Sequence, residues 1–400
     1  MTDWDVMNNS PLNSMEEVRR EMYLPPKVYL HDNTLRDGEQ FPGVEFTKRD
    51  KIEIARALSE YGIHRIELMP AVSREDQQAA SELNAMGLSA EIVGFCRSVN
   101  EDIQKAVDAG CRAIVLEMMA YPPALKALGW SVEDAIRKMI DASHFAKKKG
   151  LRITLFFVLI MQSSLDFSRE FIRKVLAEAA GDSVGIPDTA GTCLPQAVYH
   201  YVRTLRRLTD KPIEIHTHNT CGLGVANALA GVMAGAEVVH GCINGLGEGA
   251  GNAALEAVAF TLRLMLGIDS GIRLEKTHEL CKLVERLSRV SLQSNWPLVG
   301  EKVFTTESGV TVDVWTKMRR AGVAIPGPDF SGVIGRTPEI VVGKMSGRTS
   351  VEVKMGQLGL AFPGEEQLKE ILERVKNRSI EMHDALSDEE FKKIVSQVVG

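Results

Sequence analysis

From residue 27 to about residue 267 the chain repeats one pattern, an apolar run of strand length followed by an amphipathic stretch of helical length. The strand-like runs are KVYLHD (27–32), HRIELM (64–69), AEIVGFC (90–96), RAIVLEM (112–118), RITLFFVL (152–159), SVGIPD (183–188), IEIHTH (213–218) and EVVHGCI (237–243). Helical patterns lie between them, such as TKRDKIEIARALSEYG (47–62), SREDQQAASELNAMG (73–87), NEDIQKAVDAG (100–110) and LPQAVYHYVRTLRRL (194–208). Gly62, Gly87, Gly110, Gly150 and Gly235 stand where helices should end, and glycine is the residue that most easily takes the left-handed turn there. Near-continuous apolar runs indicate parallel strands covered on both faces. Eight βα units in about 240 residues match a (β/α)8 barrel in size. A doubly wound open sheet is the alternative.

The flanks read differently. Residues 1–26 are polar, end in Pro25-Pro26 and form an arm. Past 270 the alternation stops. One helix pattern covers 276–292, a loop-rich stretch follows with Pro297, Pro326, Pro328 and Gly332, and charged amphipathic helices are expected over 365–378 and 387–399. The expected organisation is therefore an arm (1–26), a TIM barrel (27–270) and a mainly helical C-terminal region (271–400). Forty-seven basic residues against 53 acidic ones give a net charge of −6, so there is no strong basic field for nucleic acid or an anionic membrane. No apolar run approaches the ~18 residues of a membrane span, and the N-terminus has no basic-then-apolar leader pattern. The six cysteines form no CxxC pair, which points to a reducing, cytoplasmic setting rather than a disulfide framework.

Barrels of this kind carry their chemistry at the C-terminal ends of the strands. Polar residues gather there. The first strand end carries Asp32 to Gln40, the second Glu67, the third Arg97 and the fourth Glu117. The fifth carries Gln162 and Ser163, the sixth Asp188 and Thr189, the seventh His216, His218 and Asn219, and the eighth Asn244, Glu248 and Asn252. His216 and His218, two apart on a strand, face the same side and make a ready metal pair; the plainer alternative is two satisfied polar residues at a strand end. Asp37 and Asn252 add oxygen donors, and a mixed N/O set suits Mn²⁺, Mg²⁺, Co²⁺ or Zn²⁺. GLGEGAGN (245–252) is not a Walker-type phosphate loop, but its glycines allow close backbone approach. Arg36 beside Asp37 can grip a carboxylate or a developing enolate oxygen, or form a salt bridge with Glu39 or Glu67.

The run LRDGEQ (35–40), the pair in HTHN (216–219) and GLGEGAGN (245–252), in that order at their strand ends, resemble the DRE-TIM metallolyases. That family includes isopropylmalate, citramalate and homocitrate synthases and hydroxymethylglutaryl-CoA lyase. FTTESGVTVD (304–313) and GKMSGRTSVEVKM (343–355) look like the subdomains that follow the barrel in the synthases. The resemblance implies a divalent metal on Asp37, His216, His218 and Asn252. It implies that Arg36 binds the 2-oxo group or an enolate, that Thr189 contacts the substrate carboxylate, and that Glu67 stands near the metal. Gln40, at the end of the same run, is a further substrate-binding candidate. The implied partners are a 2-oxo acid, an acyl-CoA and a second copy of the chain.

The departures from the family pattern concern proton transfer. Thr311 stands where the synthases carry a histidine that helps deprotonate acetyl-CoA. Gln162 aligns with an expected glutamate, Met345 replaces the histidine of GKHSGR, Gly249 replaces an arginine, and the glycine loop lacks the lyases' cysteine. A threonine hydroxyl is not a base near neutral pH. Glu117, Glu248, His31 and Asp313 are the candidates left for that work, Glu117 being placed with Arg36 and Glu67 as catalytic. The expected function is addition of an acyl-CoA to a 2-oxo acid, with carbon–carbon cleavage or a non-catalytic homologue as alternatives.

Overall fold

The computed structural model describes residues 10–323 and 328–400; residues 1–9 of the expected arm and Pro326 lie outside them. Eight strands form one closed barrel in chain order: β1 (Tyr29–Asp32), β2 (Arg65–Leu68), β3 (Glu91–Arg97), β4 (Ala113–Met119), β5 (Arg152–Val158), β6 (Ser183–Asp188), β7 (Ile213–Thr217) and β8 (Val238–Gly241). Every neighbouring pair is parallel, and β8 closes on β1 with His31 opposite His240 and Asp32 opposite Gly241. The open-sheet alternative is excluded by that closure.

The barrel helices are α1 (Lys48–Tyr61), α2 (Arg74–Ala85), α3 (Asn100–Asp108), α4 (Pro122–Ala127), α5 (Val132–Lys148), α6 (Leu165–Glu178), α7 (Pro195–Arg206), α8 (Gly224–Met233) and α9 (Leu255–Thr261). Their ends follow from local chemistry. Thr47 and Ser131 form capping boxes with Asp50 and Asp134, contributing about 1 kcal/mol each. Gly62 ends α1 at φ 103°, a conformation that a side chain resists. After β4, Pro122 starts the short helix α4, which buries Leu125.

The barrel unit reaches further than the sequence indicates. Residues 10–291 form one compact unit, where 27–270 was expected. Helix α10 (Thr277–Ser288) belongs to it: Tyr61 Oη lies 2.8 Å from Thr277 Oγ1, and Asn244 Nδ2 donates to the Cys281 carbonyl at 2.8 Å. At the other end, Tyr23 N donates to the Met233 carbonyl at 2.7 Å and the Arg203 guanidinium covers the Tyr23 ring at 3.4 Å, so the described part of the arm lies on the barrel.

The second unit, residues 292–400, is mainly helical. It contains α11 (Gly309–Arg320), α12 (Arg348–Gln357), α13 (Glu365–Met382) and α14 (Asp388–Val399), and a two-residue parallel ladder pairs Thr305–Thr306 with Glu339–Ile340. Val351, Met355, Ile371, Val375 and Phe391 form its core at 0% exposure. Helices α11 and α12 occupy part of the stretch read from sequence as loop-rich. No helix among the described residues is long and apolar enough to cross a membrane.

Candidate active site

Strand alternation sends every second residue into the barrel. On β7 and just beyond it these are Glu214, His216 and His218; on β1, His31 and Asn33; on β2, Arg65 and Glu67; on β8, His240. Lower on the side of β3 to β5 the interior is apolar, packed with Val93, Phe95, Ala113, Val115 and Phe156. Polar groups therefore occupy one side of the lumen and its rim.

Asp37, His216 and His218 converge at the rim, all buried, with one donor atom from each lying within 4.8 Å of the others. His216 Nε2 is 3.2 Å from His218 Nε2 and 3.7 Å from Asp37 Oδ2. Metal–nitrogen bonds of about 2.1 Å place adjacent ligand atoms roughly 3.0–3.4 Å apart, so the spacing of the two imidazole nitrogens fits a shared cation. Burial, then the neighbouring His218 and Arg36, hold the His216 imidazole well below its usual pKa, which keeps it neutral as a ligand must be.

Asp37 is fixed from three directions. Its Oδ2 accepts from Arg36 Nη1 at 2.8 Å, and its Oδ1 accepts from the Glu248 backbone N–H at 3.1 Å and from Asn252 Nδ2 at 2.9 Å. The glycine loop makes this approach feasible. A Cβ at Gly247, where φ is +142°, would lie 2.0 Å from Asn252 Nδ2 and 2.9 Å from Asp37 Oδ1. One at Gly251 would lie 1.8 Å from the Gly245 carbonyl. Asn252 meets Asp37 through its amide nitrogen, while its Oδ1 is buried without a hydrogen-bond partner.

Arg36 is the hub of the rim. Its Nε is 2.5 Å from Glu67 Oε1, which also accepts from Asn33 Nδ2 at 2.6 Å, and its guanidinium lies over the Phe95 ring at 4.1 Å. The salt-bridge reading with Glu67 thus holds together with the position next to Asp37. Burial pushes the Glu67 carboxyl up, but the Arg36 charge and His31 outweigh it and bring it to about 2. Gln40 is exposed, its Oε1 3.5 Å from Arg36 Nη1. Thr189 is half-buried and accepts from the Leu159 N–H at 3.1 Å. Glu117 is half-buried at the end of β4; burial raises its pKa against the lowering charges of Arg36 and Arg97.

Other strand-end residues do structural work. Asp188 accepts from the Thr192 and Cys193 N–H groups and from Asn227 Nδ2, bracing the loop after β6. Asn219 accepts from the Gly224 N–H, and Arg97 is held by Asp102. Gln162 Nε2 reaches Thr192 Oγ1 at 3.3 Å. Glu248 is exposed. Thr311 lies in the first turn of α11 in the second unit; Asp313 follows on the same helix, its carboxylate held by Lys317 and Thr349.

Below the rim lies a set of ionisable groups from which sequence reading picked out His31 and Glu67 but not Arg65, Glu214 or His240. His240 Nε2 is 2.7 Å from Glu214 Oε2, Arg65 Nη1 donates to Glu214 Oε1 at 2.9 Å, and the His31 and His240 rings stack at 4.0 Å. His31 Nε2 is 3.2 Å from Glu67 Oε2. Burial, then His240, lower the His31 pKa to about 4. Glu214 was within reach of sequence reasoning, being two residues before His216 on the same strand face.

The family model described as HMGL-like matches residues 27–284. The chain is 36% identical to a homocitrate synthase of Methanothermobacter thermautotrophicus over 98% of both chains. It is 34% identical to a 2-isopropylmalate synthase of Methanocaldococcus jannaschii over 96% of this chain and 74% of that one. In fold it is similar to an HMG-CoA lyase of Bacillus subtilis (TM-score 0.60, 22% identity, 68% of this chain and 97% of that one). A lyase of Acinetobacter baumannii, solved in complex with coenzyme A and 3-methylmalate, is similar too (TM-score 0.58, 20% identity, 66% and 92%). The three motifs at the strand ends and the extent of these alignments agree: the chain belongs to the HMGL-like family.

Proposed function

We propose that this chain is a metal-dependent acyltransferase that adds the α-carbon of an acyl-CoA to the carbonyl of a 2-oxo acid. The reading rests on one observation. Asp37, His216, His218 and Arg36 converge on a single barrel rim in a chain that aligns over 98% of its length with a homocitrate synthase.

Asp37, His216 and His218 would hold the cation, and the orphaned Asn252 Oδ1 would be available as a fourth donor. When bound, a divalent ion of the Mn²⁺, Mg²⁺, Co²⁺ or Zn²⁺ class supplies Lewis acidity toward the carbonyl and carboxylate oxygens of the 2-oxo acid. Arg36, held in one orientation by Glu67, presents its remaining N–H groups to the substrate and stabilises negative charge as it develops on oxygen. Thr189 and Gln40 flank the same rim as contacts for the substrate's carboxylate end. The working form is a cytoplasmic homodimer, which sedimentation at twice the monomer mass tests.

The chemistry is tested by incubating the metal-loaded protein with acetyl-CoA and a panel of 2-oxo acids, reading free thiol and identifying the product by mass spectrometry. Thiol release that requires both substrates and metal supports the proposal. A second reading, cleavage of a 2-hydroxy acyl thioester or acid, is favoured by Thr311 at the position of the synthase histidine. It predicts no thiol release with any 2-oxo acid, and metal-dependent cleavage instead.

A further inference from the structure

Condensation by the proposed route needs a group that removes a proton from the carbon next to the thioester. The ionisable groups around the barrel mouth differ sharply in their availability. His216, His218 and Asp37 are committed to the cation. Glu67 is bound by Arg36, Asn33 and His31, and at a pKa of about 2 it is a poor proton acceptor. Asp188 braces its own loop through three donors. His31, His240 and Glu214 are fully buried below the rim and tied to one another or to Arg65.

Among the described carboxylates of the mouth, Glu248 and Glu117 make no side-chain hydrogen bond or ion pair; Glu248 is exposed to bulk water, which leaves Glu117. Among the described residues its carboxylate makes no hydrogen bond and no ion pair within 4 Å. Its position follows from the register. On β4, Ala113 and Val115 face the lumen in the cluster with Phe95 and Phe156, so Glu117, two residues on, takes the next rung toward the mouth. It stands between Arg97 on β3 and Phe156 on β5. Arg36 covers Phe95, the residue opposite Val115, one rung below Glu117. The charged groups acting on Glu117 are Arg36 from the loop after β1, Glu67 from β2, Arg97 from β3 and Asp102 from α3.

We propose that Glu117 is the general base of the reaction. This rests on reading the chain as a condensing enzyme. The Glu117 carboxylate takes a proton from the α-carbon of the acyl thioester, and the C–H electron pair becomes the enolate π bond. The enolate carbon bonds to the carbonyl carbon of the 2-oxo acid, whose π pair moves onto oxygen beside Arg36. The proton held on Glu117 passes to solvent, the alkoxide takes one up, and water cleaves the thioester to release the thiol and a new carboxylate. A half-buried carboxylate with a raised pKa and no structural partner suits this task, because its proton affinity is closer to working pH than that of an ordinary carboxylate.

The test compares wild type, Glu117→Gln and Glu117→Asp as metal-loaded full-length proteins, with acetyl-CoA and the 2-oxo acid that the panel identifies. Glu117→Gln should lower kcat by about 10²–10⁴-fold, the usual contribution of a general base, while metal content and the 2-oxo acid KM stay within about twofold. The wild-type rate should fall on the acid side as Glu117 protonates, and Glu117→Gln should lose that limb. Glu117→Asp should retain the limb with partial activity. With trideuterated acetyl-CoA, the wild type should show a primary isotope effect. If Glu117→Gln keeps wild-type kcat and its acid limb, Glu117 is not the base and the condensing function stands. If the wild type releases no thiol with any 2-oxo acid, the condensing function and the role of Glu117 fall together.

Discussion

Nε of Arg36 lies 2.5 Å from Oε1 of Glu67 inside the barrel, with the side chains 7% and 0% exposed. A buried pair like this is costly to break from one side, because the remaining charge has no water to replace its partner. Glu67→Gln should therefore destabilise the barrel unit by roughly 3–5 kcal/mol. The effect should depend on pH in a defined window. Above pH 4.5 the Glu67 carboxylate is charged in both the folded and the unfolded chain, and its pairing contributes in full. As pH falls from about 4.5 toward about 2 the unfolded chain takes up the proton first, and the contribution is lost. Thermal melts of wild type and variant should thus converge across that interval; a constant gap would mean that Glu67 is not held down by Arg36.

His216→Ala and His218→Ala should each lose bound metal, as measured by elemental analysis after desalting, while keeping the barrel's circular dichroism. Chelator should abolish thiol release by the wild type, and Mn²⁺, Mg²⁺, Co²⁺ or Zn²⁺ should restore it. Full metal content in both variants would remove Asp37, His216 and His218 as the cation site.

Arg36→Lys keeps the charge but loses the planar fork that serves Glu67 and Asp37 together and, in the proposed function, would serve the substrate as well. Turnover should fall by about 10²-fold or more, comparable to the loss of one oxyanion donor, with metal content unchanged. Unchanged turnover would reduce Arg36 to a structural ion-pair partner.

Gly247→Ala forces a Cβ into the Asn252 amide and against Asp37 from a backbone at φ +142°. Metal affinity should fall at least about tenfold, as when groups that orient a ligand are disturbed. Gly249→Ala is the internal comparison: its φ is +67° but nothing lies within 4 Å of the new Cβ, so it should cost about 1 kcal/mol of stability and leave metal affinity alone. Equal metal loss in both variants would show that backbone strain, not crowding of Asp37, is responsible.

The barrel was legible because its signals are local. Each strand is an apolar run of a few residues, α1, α2, α5 and α6 start at the caps Thr47, Ser73, Ser131 and Ser164, and the rim residues stand within a few positions of a strand end, as Asp37, Glu67, Glu117, His216 and His218 do. Helices α11 and α12 were not read, because α11 buries little beyond Val312 and both lie among prolines and glycines that mark turns. The unit boundary at Ser291 was missed for another reason: α10 joins the barrel through Tyr61 and Asn244, contacts that leave no periodic trace in the sequence.

The order of strands, their inward faces and the two histidines of the rim follow from the sequence itself, since a period of two and a period of 3.6 are properties of the chain alone. Which inward residues meet is settled by closure of β8 on β1. That closure stacks His240 on His31 across more than 200 residues of chain, and the loops after β1 and β8 bring Arg36 to the Glu67 anchor and the Asn252 amide to Asp37. Tertiary structure alone also decides which carboxylates are committed. Glu67 and Glu117 both stand near strand ends, yet Arg36 binds the first, while among the described residues the second has no hydrogen-bond or ion-pair partner, because the guanidinium is drawn to Glu67 and Asp37.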